Sequence, residues 1–179
     1  DYGSIEPQVE GMTSYVGTSI VANGEGLGEL GLMACESLGV DPCEVAFLQG
    51  FLALPLDNAR TEAAIGALEA GGATVVASPE GGYTQASGLA AAQDVLIANP
   101  EVDVIIGSSQ AILGAEQAVD DAGLTGQVAL IGNGAPRQAV AAVKDGRWFA
   151  IWADVESSAG KEAASVAIRA ARGEEVPNS

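Results

Sequence analysis

The stretch ANPEVDVIIGSSQAILGAEQAVDDAG, residues 98–123, decides the fold. Its first half carries a short continuous apolar run, DVIIG (103–107), and its second half reads as a helix over 109–121. A continuous apolar strand feeding directly into a helix is one βα step of a sheet buried on both faces. The same step recurs along the chain. Apolar runs lie at YVGTSIVA (15–22), EVAFLQG (44–50), ATVVAS (73–78), QVALIG (127–132) and WFAIWAD (148–154). Helices are expected at about 26–38, 58–70, 84–98, 136–145 and 156–172, with Asp57 as N-cap of the second and Ala-Gly-Gly closing it at 70–72. The expected class is α/β, a doubly wound parallel sheet of about six βα units.

Bulk properties narrow the function. The chain has 179 residues, the size of one ordinary domain, and is 48% apolar with few aromatics. No apolar run approaches the ~20 residues of a membrane span. A net charge of −17 argues against nucleic acid and anionic membrane surfaces as partners. The absence of His removes the commonest general base and the usual zinc sites, so no metal or catalytic group is expected. Cys35 and Cys43 stand eight residues apart. In an oxidising compartment they pair; in the cytosol they are a buried thiol and a loop thiol.

In a doubly wound sheet, ligands collect beyond the carboxyl ends of the strands. Arg60, Tyr83, Ser108, Asn133 and Asp154 fall on that rim. Together they offer a guanidinium, a ring, a hydroxyl, an amide and a carboxylate, without a nucleophile–base pair. Such a set suits a neutral, hydroxyl-rich ligand. Arg60 is the only Lys or Arg in the first 136 residues. It reads either as half of a local ion pair with Asp57 or Glu62, or as a ligand group. Ser108 and Asn133 both precede helices and also read as caps, while Trp148 and Trp152 also read as packing against the last helix. GLGELG (26–31) matches a dinucleotide fingerprint, G-x-G-x-x-G. Against it, VAFLQ ends without the acidic residue a ribose needs, and Glu25 and Glu29 would face a pyrophosphate. No cofactor is expected.

From about residue 15 to 176 the chain resembles the C-terminal lobe of type I periplasmic sugar-binding proteins, the ribose- and galactose-binding group. The resemblance rests on VAFLQG, DNARTEAAIGALEAGG, ANPEVDVIIG with the AILGAEQA helix, VALIGNGAP and the AVKDG turn. It implies a non-enzymatic component of a bacterial sugar ABC transporter. That component closes on a small saccharide between two lobes and hands it to a permease, in the periplasm or outside the cell. It further implies that Arg60 reaches sugar hydroxyls and that Tyr83 stacks on the sugar face. Ser108 replaces the family's usual Asn, Asn133 its Asp, and Asp154 its Gln or Asn. By the same resemblance, residues 1–155 are the ligand-binding lobe and 156–179 a helix crossing to an N-terminal lobe that would precede Asp1. The apolar face of that helix, including Ala163, Val166 and Ala170, would favour a homo-oligomer. The alternative within this fold is the sensor core of a lactose-repressor-type regulator, which would need an upstream basic helix-turn-helix.

Overall fold

The computed structural model describes residues 11–153 and 156–176. Five parallel strands form one sheet: β1 (Glu44–Leu48), β2 (Thr74–Ala77), β3 (Val104–Ser108), β4 (Ala129–Asn133) and β5 (Ala150–Trp152). Their spatial order is β2-β1-β3-β4-β5. Among the described residues six helices accompany them: α1 (Ile20–Leu38), α2 (Pro55–Ala70), α3 (Gln85–Ala98), α4 (Ser109–Asp121), α5 (Arg137–Lys144) and α6 (Glu156–Ala171).

Alternate residues of each central strand feed two separate cores, as a period of two requires. Val45, Phe47, Val104, Ile106 and Ile131 face α1 and α2, where Leu27, Ala34, Ala64 and Leu68 cover them. Ala46, Leu48, Ile105 and Leu130 face the other way, under α3, α4 and α5. Both faces are therefore dry, which is why these strands read as unbroken apolar runs.

The expected strand at 15–22 does not form. Ser19 is extended, and its hydroxyl accepts the Ala22 N–H at 3.1 Å, so α1 begins at Ile20, six residues earlier than its sequence pattern suggests. A short apolar run has no period of its own, and here the serine cap decides in favour of helix. Among the described residues the sheet accordingly has five strands, not six. This also removes the dinucleotide reading, because GLGELG lies inside α1 and not at a strand-to-helix turn. Its glycines serve packing. A Cβ on Gly28 would lie 2.7 Å from both the Ala64 carbonyl oxygen and the Ala67 Cβ of α2, and one on Gly26 would enter the Trp152 ring.

Asp57 is likewise not the cap of α2. Pro55 occupies the first turn and Leu54 the cap position, without a side-chain cap bond, in keeping with proline's preset φ. Trp148 is buried against α4 and α5 and donates its indole N–H to Glu116 at 3.0 Å, away from the last helix. On α6, Val166 is buried whereas Ala163 is exposed.

Cys35, late in α1, is joined to Cys43, just ahead of β1, by a disulfide with Cα atoms 5.8 Å apart. Both cysteines are buried in the α1–α2 core. Closing so short a loop restricts the unfolded chain by about 2.5 kcal/mol. Replacing both cysteines by serine should lower the melting temperature by about 5–10 °C in a calorimetric comparison with the oxidised parent chain. Equal melting of the two forms would show that the bond contributes nothing.

Candidate functional site

The strand order reverses at β1. The connection through α2 runs outward to β2, and that through α3 returns across β1 to β3. The carboxyl ends of β1 and β3 thus diverge into a crevice, the place where doubly wound sheets receive ligands. A small cavity lies there, between the ends of the two strands and the first turns of α2.

The centre of the crevice is Asp57, only 1% exposed. Its Oδ2 accepts the Phe51 N–H at 2.8 Å. Its Oδ1 accepts from Arg60 Nη1 at 2.8 Å and from the Tyr83 hydroxyl at 2.5 Å. A spacing of three residues on α2 puts Asp57 and Arg60 on one face. The pair is not the exposed surface bridge that spacing alone suggests, because the Arg60 side chain is itself only 15% exposed. Arg60 Nη1 also lies 3.3 Å from the Tyr83 oxygen, and its Nε donates to Asn23 Oδ1 at 2.6 Å.

Asn23 is the residue that sequence reasoning missed. It is buried in the first turns of α1 and exchanges a reciprocal pair of amide bonds with Asn133, at 3.1 and 3.2 Å, across 110 residues. Asn133, the last residue of β4, is therefore fixed by α1 and does not cap the next helix, whose cap position is Pro136. Only the fold brings these two amides together. Its one sequence trace is a polar residue within an apolar helix.

Tyr83 is positioned by the loop after β2. The Gly81 and Gly82 N–H groups both donate to the Gln49 carbonyl, which pins the loop to the end of β1. The ring meets Phe51 edge-on, with centroids 5.2 Å apart, while its hydroxyl turns inward to Asp57. Burial, reinforced by the hydrogen bond to Asp57, raises the Tyr83 pKa above its ordinary value. Ser108 caps α4 by accepting the Ala111 N–H at 3.2 Å, and it donates to the Gly82 carbonyl at 2.8 Å. Its hydroxyl is committed to structure. Arg60, Tyr83, Ser108 and Asn133 all line the one cavity, whereas Asp154 lies outside the described residues.

Two properties of this arrangement bear on ligands. The Arg60 and Asp57 charges cancel. Among the described residues, the Arg60 Nη2 group donates to no protein atom, so the guanidinium is oriented through Nε and Nη1 and keeps two N–H donors spare. The described residues hold no cluster of three His, Cys, Asp or Glu suited to a metal ion.

Comparison with known proteins agrees with the fold. The family model described as periplasmic binding protein domain matches residues 6–175, and the chain belongs to that family. No curated protein matches the sequence. Among solved structures, the chain is similar to an ABC transporter periplasmic solute-binding protein from Actinobacillus succinogenes with bound D-allose (TM-score 0.83, 24% identity, 92% of this chain and 57% of that one). It is also similar to an ABC transporter solute-binding protein from Bacillus halodurans with bound myo-inositol (TM-score 0.81, 24% identity, 95% and 58%). A third is a carbohydrate transporter solute-binding protein from Agrobacterium radiobacter in complex with D-arabinose (TM-score 0.81, 18% identity, 93% and 58%). The chain spans less than two thirds of the length of each. These similar proteins are solute-binding proteins and not enzymes, with the type I α/β fold described above.

Two predictions follow from the Asp57 cluster. Asp57→Ala leaves Arg60 without its counter-charge and should destabilise the chain by about 3 kcal/mol in urea unfolding; a loss below ~1 kcal/mol would show that the pair is not truly buried. The raised Tyr83 pKa means that the unfolded chain ionises this phenol first. Its contribution is thus full below the ordinary tyrosine pKa and is lost as pH climbs through the folded-state value. Spectrophotometric titration at 295 nm should show a tyrosine step above the ordinary tyrosine range, from Tyr83. In Tyr83→Phe that step should vanish.

Proposed function

We propose that this chain supplies a sugar-binding lobe to the solute-binding component of an ABC importer, working outside the cytoplasmic membrane and serving a permease. The observation that carries the reading is the oriented Arg60 guanidinium, whose Nη2 has no partner among the described residues, at the switch point of the sheet. A planar donor fork of this kind bonds two hydroxyl oxygens at once. Its charge is already balanced by Asp57, so among the described residues the cavity lining is neutral and favours a neutral polyhydroxylated ligand. The overall charge of −17 works in the same direction by repelling anions. Phe51 and the Tyr83 ring give the apolar edge that a sugar face requires. The solved structures with D-allose, myo-inositol and D-arabinose set the ligand class to test first. Closure of lobes around the ligand would exclude water and create the surface that a permease recognises.

Trp152, at the end of β5 and packed over Gly26, is a built-in reporter for the crevice. Its fluorescence should respond saturably to one of the three sugars and not to NAD. Arg60→Lys keeps a cation beside Asp57 but loses the fork, and should weaken that sugar by about tenfold or more. A response to NAD alone, or a lysine variant that binds sugar as well as the parent, would overturn the reading.

A further inference from the structure

Thr61 follows Arg60 on α2. It is 5% exposed, and its Oγ1 has no hydrogen-bond partner among the described residues. A helical threonine ordinarily turns its hydroxyl back to a carbonyl one turn earlier, but this one does not. It lines the cavity beneath the ligand crevice, whose walls include Leu27, Phe47 and Leu48 and whose polar groups include Asn133 and Tyr83. The space open to the centre of a water molecule there is about 10 Å³, close to the room one water needs. A buried hydroxyl without a partner is unfavourable, and a polar niche of one-water size beside it supplies the missing partner.

We propose that this cavity is a single-water site: one resident water bonds Thr61 Oγ1 and the Asn133 amide and carries a ligand hydroxyl's contact down to α2. Asn133 has the capacity, since the pair of bonds to Asn23 uses one amide hydrogen and one lone pair of its oxygen. Bridging waters are nearly as good as direct bonds in such sites. Thr61 is then a positioning residue, acting on the ligand through the water. The water itself is independent of the sugar-binding reading; its contact with the ligand rests on that reading.

The test compares the 179-residue chain with Thr61→Val, which keeps the shape and removes the hydroxyl, and Thr61→Ser, which keeps the hydroxyl. A crystal structure without sugar should show a water peak about 2.6–3.2 Å from Thr61 Oγ1, present in the serine variant and absent in the valine variant. Valine should lower the melting temperature by about 2–4 °C, and serine should melt above valine. A dry cavity overturns the proposal. So does a valine variant that melts higher than the parent, because that is the signature of an orphan hydroxyl removed. With the sugar that saturates the Trp152 response, valine should weaken binding by about tenfold and serine should restore it. Unchanged affinity in the valine variant overturns the ligand contact. If no sugar binds the parent chain, that contact falls with the sugar-binding reading, while the crystal peak and the melting order still decide the water.

Discussion

An anion removed from water survives only if other groups replace its hydration, and Asp57 is where this chain meets that condition. Its three donors come from three different places: the loop after β1, the helix α2 and the loop before α3. Each is thereby tied to the same carboxylate. The Phe51 N–H fixes how the chain leaves the sheet, Arg60 fixes the face that α2 presents, and Tyr83 fixes the loop opposite. The crevice takes its shape from these three bonds. The guanidinium is aimed because two of its nitrogens are already engaged, and it is neutralised by the same contact that aims it.

The sheet itself was legible because its central strands are covered twice. Val45 to Leu48, Val104 to Ile106 and Leu130 to Ile131 are apolar on both sides of the backbone, and only a doubly covered strand needs that. YVGTSIVA has the same composition for a different reason. It spans the entry to a long helix buried on one side, and Ser19, not the run's hydrophobicity, sets where that helix begins. At α2, capping chemistry misled in the opposite sense. Asp57 resembles an N-cap, but Pro55 starts the helix earlier and leaves the carboxylate facing inward.

The site was legible in outline for a topological reason. Residues that follow strands in a parallel sheet arrive at one edge, so Arg60, Tyr83, Ser108 and Asn133 could be placed together without knowing any distance. Their individual roles were not legible, because these depend on contacts between segments far apart in sequence. Ser108 serves as a cap, and Tyr83 uses its hydroxyl within the protein. The partner of Asn133 is Asn23, on a helix that sequence reading started too late. Spacing finds the neighbourhood of a site; side-chain valence assigns its work.

The Gly28 seam between α1 and α2 has a consequence for how the protein can change. Arg60 and Asn23 meet because those helices lie almost backbone to backbone, and the absent Cβ atoms at Gly24, against the Arg60 carbonyl, and at Gly28, one turn on, set that approach. The crevice is thus held to tolerance by positions with no polar side chain. Selection for a new ligand would be free to alter the crevice's polar residues one at a time, but it would have to leave this seam untouched. Among diverging relatives, the invariant line would then run through the helix interface, and the binding surface would be what varies.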